Sequence, residues 1–491
     1  MKRLALAGLL CLMVAPSSAQ AARFSVGLQK GADVNRVAGR VESATGHPVT
    51  KIGSFALSVQ AREAGQISAV RGVSWVERDR ASRRLAFSPN DPLAVRQWYL
   101  GRIHAFDAWP QVPTLQPVRV AVLDSGVDSS HPELQNQIVD GQSFVSSSSW
   151  ESDTNGHGTF VAGEIAAALN NNQGIAGVGF SVDLLIAKIV RSDGTISPDA
   201  EARAIHWAVA RGARVINMSF GGVRDPRDPS QDTYSQVEAA AVQYAVSKGV
   251  LVVAAVGNAD GAPTEPWGYA GYPAALPHVL GVSAITDTGG VPSFSNRDRI
   301  YNDVAAPGLR ILSILPRPLT ARYPSCSEQG YSSCGPDEYR EAEGTSFAAP
   351  QVSAAAAVLL SLHPTLRPEQ VTEILESTAI DVTADTCSAC ADGRDAYSGW
   401  GRLDVASAIG ALAKHVPAPD SYEANDDLGQ RAYPLSGTNR RVHAAVDFWD
   451  DQDDVYTIQL KANQPVYVGL TGWDPSVDLS LAFWLPQAKS I

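Results

Sequence analysis

The stretch VRVAVLDSG, residues 118–126, is an apolar run that ends in a carboxylate and a tight turn. An unbroken apolar run of this length is typical of a strand buried on both faces of a parallel sheet. Three similar runs follow it, namely DLLIAKIV (183–190), RVINMSF (214–220) and VLVVAAVGN (250–258). Each of these runs predicts a buried strand.

Helical patterns separate the runs. The segments GTFVAGEIAAALN (158–170), PDAEARAIHWAVARG (198–212) and SQVEAAAVQYAVSKG (235–249) carry apolar residues at helical spacing. This alternation predicts an α/β fold, with a doubly wound, mainly parallel sheet that has helices on both faces. Ligands bind at the carboxyl ends of the strands in such sheets, so functional residues are expected directly after the runs.

The composition is that of a folded, acidic protein. The chain of 491 residues is 45% hydrophobic and 18% charged, and its formal net charge is −12. Binding to nucleic acid needs a basic surface, so no nucleic-acid partner is expected.

The first residues, MKRLALAGLLCLMVAPSSAQAA, have the pattern of a secretory signal peptide. A basic start precedes an apolar core at 4–14, and Ala19 and Ala21 give a cleavage pattern. The core is too short for an ordinary membrane span, which disfavours the alternative of an N-terminal anchor. We therefore expect residues 1–21 to be removed and the mature protein to be soluble and secreted, either extracellular or periplasmic, with no membrane partner.

Four cysteines remain after that cleavage, at positions 326, 334, 387 and 390. Exported thiols usually oxidise, so the even number predicts disulfides. The sequence-local pairs Cys326–Cys334 and Cys387–Cys390 are favoured among the possible connectivities. A zinc site at the C-x-x-C of residues 387–390 is the alternative, which the lack of a second C-x-x-C disfavours.

The composition changes on both sides of the α/β region, which spans 88–413. Residues 22–85 carry short alternating and apolar segments that predict a small α/β unit ending in a loop-like, dibasic stretch. Residues 414–425 are rich in Pro and Asp, which is typical of a linker. Residues 426–491 alternate like the strands of a β-sandwich, and their short length indicates a small or truncated domain.

Four polar residues stand where this fold would place chemistry. Asp124 ends the first run, Asn258 ends the fourth, His157 lies between two glycines, and Ser346 lies in EAEGTSFAAP (341–350). Each has a structural reading as well: a turn aspartate, a surface histidine, a left-handed asparagine or a serine N-cap. Taken together they have the chain order Asp…His…Ser, which is one of the orders known for a catalytic triad.

The motifs around these residues resemble the three signatures of the subtilisin-like serine proteases. The matching segments are DSG at 124–126, NGHGT at 155–159 and GTS at 344–346, and Asn258 matches the oxyanion asparagine of that family. The resemblance covers about residues 88–412 and is strongest to the thermitase-like branch.

The resemblance implies a secreted serine endopeptidase made as a self-processing zymogen. His157 would take the proton of Ser346, Asp124 would orient the imidazole, and the Asn258 amide and the Ser346 N–H would bind the oxyanion. Protein or peptide substrates and a monomeric state are expected. A serine esterase is the alternative, although it would show G-x-S-x-G and the order Ser…Asp…His. An inactive binding protein on the same scaffold is a further alternative, which the intact catalytic positions disfavour.

The substrate site is also implied by the resemblance. One segment would pair with an extended peptide, and together with a second segment it would frame the pocket for the residue before the scissile bond. The residues are Ser219, Phe220, Gly221 and Gly222 in the first segment and Ala255, Val256 and Gly257 in the second. Neither segment contains an acidic residue, so a broad apolar preference is expected.

A structural calcium site of the thermitase-like kind is implied on two sets of oxygen atoms. The side chains are those of Asp91, Glu133 and Asn171, and the backbone carbonyls are those of Ala168, Gln173 and Ile175. Glu133 stands where the family usually has Asp. Solvated polar loop residues are the alternative interpretation.

Several positions depart from the family pattern. Phe160 replaces a His or Cys, Phe347 replaces a Met, and Gln351 replaces a His. The stretch 309–343 is longer than usual, which predicts either a loop inserted near Ser346 or a neutral surface insertion. Residues 22–85 resemble the inhibitory propeptides of the family, and 426–491 resemble the bacterial pre-peptidase C-terminal domain.

Overall fold

A computed structural model describes residues 22–78, 87–109, 116–146, 148–179 and 181–413. Beyond these it describes 421–422, 432–437, 440–444, 446, 454–461, 463–471, 481 and 483. The chain divides into two compact units, Met1–Leu85 and Ala86–Ile491. The predicted signal peptide and most of the predicted linker lie outside the described residues.

The first unit is a small α/β unit, in agreement with its sequence pattern. It contains β1 (Ala22–Leu28), α1 (Val34–Thr45), β2 (Thr50–Ile52), β3 (Ala56–Ala61), α2 (Gly65–Ser68) and β4 (Val73–Arg78). The strands form an antiparallel sheet in the order β2-β3-β1-β4. Asp33 caps the N-terminus of helix α1, because its carboxylate accepts the N–H groups of residues 35 and 36. The apolar face of the helix covers the sheet.

The second unit is built on a seven-stranded sheet. Its strands are β5 (Val118–Asp124), β6 (Ile138–Ser143), β7 (Val182–Lys188), β8 (Val215–Met218), β9 (Leu251–Ala255), β10 (Val279–Ile285) and β11 (Val304–Pro307). All neighbours in the order β11-β10-β9-β8-β5-β7-β6 are parallel. The predicted doubly wound α/β fold is therefore confirmed.

Helices cover both faces of this sheet. The helices are α3 (Trp98–Arg102), α4 (Ala105–Ala108), α5 (His157–Ala166), α6 (Pro198–Ala210), α7 (Gln236–Ser247), α8 (Arg317–Arg322), α9 (Ala349–Leu362), α10 (Pro368–Ser377) and α11 (Val405–Ala411). Alternate residues of β5 face opposite cores: Val120 and Val122 pack with α5 and α9, whereas Ala121 and Leu123 pack with α6 and α7. This double burial explains why β5 is apolar from Val120 to Leu123, whereas Arg119 near its start is exposed.

The four predicted runs become β5, β7, β8 and β9. Three further strands are not among them. Strand β6 lies at the sheet edge and is only partly buried, so its sequence IVDGQS carries polar residues. Strand β11 has only four residues, VAAP, and β10 contains a glycine, Gly281.

Helix α9 is the core helix of the unit. All residues from Ala349 to Ser361 are buried, and the many alanines allow it to pack against β5, β8 and β9. In the part of the chain that the structure describes, Thr345–Leu362 is the one stretch long and apolar enough to cross a membrane, and its burial inside the protein is typical of a core helix.

The stretch 309–343 folds into a hairpin with a long connection. Strand β12 (Ile311–Ile314) pairs in antiparallel fashion with β13 (Tyr339–Ala342), and α8 and a loop lie between them. Both favoured disulfides, Cys326–Cys334 and Cys387–Cys390, are present, so the zinc alternative is wrong. In the region of the predicted β-sandwich, the described residues contain the short parallel pair β14 (Tyr433–Leu435) and β15 (Tyr456–Ile458).

A pair of buried carboxyl groups joins α6 to α7. Glu201 and Glu238 are 4% and 5% exposed, and their side chains are hydrogen-bonded to each other. Burial is the largest cause that raises both pKa values, and it raises the pKa of Glu201 to about 10, with the charge of Glu238 adding to the effect. The folded protein therefore holds a proton here that the unfolded chain releases above its ordinary carboxyl pKa.

Replacement of Glu201 by glutamine is expected to stabilise the protein at alkaline pH. The folded-state pKa lies above the unfolded value, so this carboxyl contributes stability at acid pH that is lost as the pH rises toward 10. Glutamine keeps an N–H donor for Glu238 and has no proton to lose. Thermal unfolding at pH 8 should show a higher Tm for Glu201→Gln than for wild type, by about 2 °C for each kcal/mol gained in the free energy of unfolding. At pH 4 the two Tm values should be nearly equal. An equal shift in the exposed control Glu369→Gln would contradict this explanation.

Candidate active site

The four predicted residues meet at the carboxyl edge of the parallel sheet. Asp124 is the last residue of β5, Asn258 follows the end of β9, and His157 is the first residue of α5. Ser346 lies in a 3₁₀ turn, Thr345–Phe347, directly before α9. The carboxyl ends of parallel strands share one edge, which is why residues so distant in sequence converge.

Asp124 and His157 form a direct pair. The Nδ1 atom of His157 donates toward both carboxylate oxygens of Asp124, at 2.9 Å each. Asp124 also accepts the N–H of Ser125 at 2.7 Å and is almost fully buried, whereas the His157 side chain is 21% exposed. The pair fixes the proton on Nδ1 and leaves Nε2 as the basic nitrogen.

The environment of His157 raises its pKa. Burial by itself lowers the pKa, but the charge and hydrogen bond of Asp124, together with the charge of Asp153, outweigh burial. The imidazolium form is therefore stabilised relative to a free histidine.

Asp153 was not among the predicted site residues. Its buried carboxylate accepts five hydrogen bonds, from the Ser125 hydroxyl, the Thr159 hydroxyl and the N–H groups of Asn155, Gly156 and Thr159. It thereby joins the turn after β5 to the start of α5. Its only signal in the sequence is its position shortly before the NGHGT segment.

A glycine allows the two turns to approach each other. The N–H of Gly158 donates to the Ser125 hydroxyl at 2.9 Å. A Cβ atom at Gly158 would lie 2.2 Å from the carbonyl oxygen of Gly126 and 3.1 Å from Cβ of Asp124. A larger residue at this position would therefore separate His157 from its carboxylate.

The side chain of Asn258 is oriented by the turn that contains the serine. Its Oδ1 atom accepts both the N–H and the hydroxyl of Thr345, at 2.8 Å each. Nδ2 consequently points away from Thr345, and it lies 3.2 Å from the position that a Cβ of Gly344 would occupy. An amide donor is thus held beside the Ser346 turn.

Ser346 is half-buried and lies in the turn that also carries Phe347. The ring of its neighbour Phe347 is 5.3 Å from that of His157. The N-cap residue of α9 is Ala348, so Ser346 does not cap that helix.

The residues that depart from the family pattern pack against one another. The rings of Phe160 and Phe347 lie 4.5 Å apart, and both are fully buried. Gln351 donates to the carbonyl oxygens of Phe347 and Pro307 at 2.8 Å and to buried Glu164 at 3.3 Å. Burial raises the pKa of Glu164 well above its ordinary value, although the hydrogen bond from Gln351 opposes the shift. The departures form one coupled set behind the serine turn.

The two predicted substrate segments flank this edge. Residues 219–222 directly follow β8, and Gly222 is paired with Tyr272 through two backbone hydrogen bonds. In the second segment, Ala255 and Val256 are buried, and Gly257 adopts a φ of +102°. Among the described residues, no backbone hydrogen bond of Ser219, Phe220 or Gly221 outside the strands is found.

The predicted calcium ligands converge on one loop. Asp91 accepts the N–H groups of residues 170 and 171, at 2.9 and 3.0 Å. Glu133, which is fully buried, accepts the Asn171 side-chain amide at 2.8 Å and the N–H of Ile175 at 3.1 Å. Burial raises the pKa of Glu133, although these hydrogen bonds oppose the shift.

The donor set of this loop is compatible with calcium. All its ligand atoms would be oxygens, from two carboxylates, one side-chain amide and backbone carbonyls, and calcium prefers oxygen ligands. Within the described residues, the carbonyls of Ala168, Gln173 and Ile175 accept no hydrogen bond. The structure nevertheless contains no group of three His, Cys, Asp or Glu residues that could hold a metal, as far as it describes the chain. Any cation here would depend mostly on carbonyls.

Comparison with known proteins agrees with this architecture. The model of the subtilase family matches residues 116–407. The chain is 36% identical to subtilisin DY of Bacillus licheniformis over 59% of its length and 90% of that protein. It is 33% identical to thermitase of Thermoactinomyces vulgaris over 66% of its length and 99% of that protein. A solved protease structure from Pseudoalteromonas arctica matches 66% of this chain and 99% of its own chain. The sequence identity is 28% and the TM-score is 0.54. The chain belongs to the subtilase family of serine peptidases.

Proposed function

We propose that this chain is a secreted serine endopeptidase that hydrolyses peptide bonds in proteins through Asp124, His157 and Ser346. The observation that carries the proposal is the buried Asp124–His157 hydrogen bond at the sheet edge, with Ser346 and Asn258 held beside it. Family membership and similarity to subtilisin DY and thermitase support it.

The proposed reaction has two steps. His157 Nε2 removes the Ser346 hydroxyl proton as Oγ attacks the scissile carbonyl carbon, and it returns that proton to the leaving amine. An acyl-enzyme remains on Ser346. Water then attacks the ester while His157 takes its proton, and the imidazolium gives that proton to Ser346 Oγ as the acid leaves. Asp124 stabilises the imidazolium form in both steps, which agrees with the raised pKa of His157.

The oxyanion is stabilised by two donors. Asn258 Nδ2 supplies one hydrogen bond because its Oδ1 is already occupied by Thr345. The backbone N–H of Ser346 supplies the other. One such donor contributes about 3–4 kcal/mol to lowering the barrier.

Substrate binding is proposed to use the backbone of Ser219–Gly221 as a strand partner for the peptide. Gly222, Ala255, Val256 and Gly257 would complete the pocket before the scissile bond. The absence of an acidic residue in these segments supports a broad apolar preference.

The domain organisation is proposed to be that of a zymogen. Residues 1–21 would be the signal peptide, 22–85 the inhibitory propeptide, and 88–413 the catalytic domain, followed by a linker at 414–425. The separate compact unit Met1–Leu85 supports the propeptide assignment. Residues 426–491 would form a pre-peptidase C-terminal domain.

Replacement of Ser346 by alanine is expected to abolish casein cleavage, because no other group would form the acyl-enzyme. The assay compares purified wild-type protein, with and without a serine-directed organophosphonate, and Ser346→Ala at equal concentration. The exposed residue Ser230 provides the matched control Ser230→Ala. Equal cleavage by wild type and Ser346→Ala would disprove the mechanism.

Replacement of Asp124 by asparagine is expected to lower kcat by about 10⁴-fold and to move the acid limb of the pH profile to lower pH. His157 must be neutral to act as a base, so activity rises as the pH passes its pKa, and the charge of Asp124 raises that pKa. The measurement is kcat/KM on a peptide anilide between pH 5 and 10. The exposed control Asp199→Asn should leave both quantities unchanged. An unmoved acid limb in Asp124→Asn would refute the assigned role.

A structural calcium ion is proposed at Asp91, Glu133 and Asn171, with the carbonyls of Ala168, Gln173 and Ile175. The convergence of these groups on one loop supports it. When bound, the ion would supply charge compensation for Asp91 and Glu133 and would fix the loop.

Calcium is expected to raise the thermal stability of the protein. At a concentration about one hundredfold above Kd, binding to the folded state alone adds about 2.7 kcal/mol. The Tm is compared in excess calcium and in excess chelator for wild type, Asp91→Asn and the exposed control Asp228→Asn. Only Asp91→Asn should lose the difference. If chelator leaves the wild-type Tm unchanged, the site does not exist.

A further inference from the structure

An aromatic side chain from the stretch 309–343 lies against the candidate catalytic histidine. The ring of Tyr331 is 5.9 Å from the His157 ring, at an interplanar angle of 73°. It is also stacked on Phe347, with the centroids 6.2 Å apart and the planes at 30°. Tyr331 therefore packs on buried Phe347 beside His157, so part of the stretch 309–343 lies next to the candidate site.

The hydroxyl of Tyr331 is fixed to the turn that precedes His157. It donates to the carbonyl oxygen of Asn155 at 3.1 Å. A Cβ atom at Gly156 would lie 2.6 Å from this hydroxyl, so the glycine makes room for it. Burial, which is the largest cause, and the charges of Asp153 and Asp124 raise the pKa of Tyr331 well above its ordinary value. The phenol is thus a neutral group.

The loop that carries Tyr331 is closed and rigidly connected. The Cys326–Cys334 disulfide encloses the tyrosine. Gln329 is fully buried and its side chain donates to the carbonyl oxygens of Tyr323 and Gly335, at 2.8 and 3.1 Å. The N–H of Ser333 donates to β13 at 2.7 Å, so the loop is joined to the strand that leads into the serine turn. Such a loop presents Tyr331 in one position.

The position of Tyr331 relative to His157 indicates which part of a substrate it would contact. The proposed acyl-side segments, 219–222 and 255–257, follow β8 and β9. Among the described residues, the ring contacts and the hydrogen bond of Tyr331 involve only His157, Phe347 and Asn155. His157 must face the leaving amine to protonate it. Tyr331 flanks His157 and makes none of these contacts with the acyl-side segments. We therefore infer that Tyr331 would meet the amine side of the substrate.

We propose that the partly exposed ring of Tyr331, which packs on buried Phe347, forms the wall that receives the side chain on the amine side of the scissile bond and favours an aromatic or large aliphatic residue there. This inference rests on the proposed peptidase function. A flat, neutral aromatic surface held in place by a disulfide loop binds an apolar side chain with little loss of conformational freedom.

Acyl transfer tests this wall separately from the acyl side. Active enzyme obtained from the full chain is acylated with an apolar peptide methyl ester, which has no residue on the amine side. Phenylalaninamide and glycinamide then compete with water for the acyl-enzyme, and the products are separated by chromatography. The ratio of the two amide products measures the preference of the amine side alone.

Tyr331→Ala should lower the preference for phenylalaninamide over glycinamide by about three- to tenfold. The product ratio is the quantity that should change, because both amides compete for the same acyl-enzyme and the ratio does not depend on how fast the ester forms it. Tyr331→Phe, which keeps the ring, and Tyr323→Ala, which removes a 45% exposed tyrosine from the same stretch, should retain the wild-type ratio. If Tyr331→Ala does not fold, Tyr331→Leu should show the same loss when phenylalaninamide is compared with leucinamide.

The outcomes separate this inference from the proposed function. If wild type forms no Ser346-dependent acyl product, the peptidase mechanism fails, and the wall fails with it. If wild type transfers acyl groups but Tyr331→Ala keeps the wild-type product ratio, the wall alone is wrong. A loss of ester hydrolysis with an unchanged product ratio would assign Tyr331 to holding the His157 turn, which also overturns the inference.

Discussion

The buried carboxylate of Asp153 holds together the two turns on which the site depends. One turn follows β5 and carries Asp124, and the other begins α5 and carries His157. Asp153 accepts five hydrogen bonds from these turns, so their N–H and hydroxyl groups are satisfied without water. An unsatisfied buried donor costs about 1–3 kcal/mol. The geometry of the Asp124–His157 pair is therefore a consequence of this network as much as of the pair itself.

The serine side of the site is held by packing instead. Phe347 contacts both His157 and Phe160, and Gln351 holds the Phe347 carbonyl from the first turn of α9. Tyr331 completes the aromatic group from a different part of the chain. Because interiors are close-packed, a change of volume at buried Phe160 or Phe347 would shift the other ring. The residues that depart from the family pattern thus belong together.

Buried acids elsewhere in the unit are kept neutral by their surroundings. Glu164 lies behind the serine turn with the Gln351 amide as partner, and Glu201 shares a proton with Glu238 between two helices. In each case burial is the largest cause that raises the pKa. Asp124, in contrast, has a histidine partner, and its charge stabilises the protonated form of that histidine. A buried carboxyl group thus serves packing in Glu164 and Glu201, whereas in Asp124 it serves electrostatics.

The sequence by itself determined the parallel sheet, because strands buried on both faces are apolar at successive positions, as residues 120–123 are. It also indicated Asp124, His157, Ser346 and Asn258, since the carboxyl ends of such strands share one edge. The edge strand β6 escaped prediction because partial burial imposes no clear pattern.

Only the tertiary structure decided the contacts between distant segments. Asp153 has no pattern of its own, and its role depends on two turns meeting in space. Tyr331 is separated from His157 by 174 positions, and the hydrogen bond it makes to Asn155 spans 176. Periodicity reports which face of an element is buried, whereas the partner that covers that face is chosen by the packing of the whole chain.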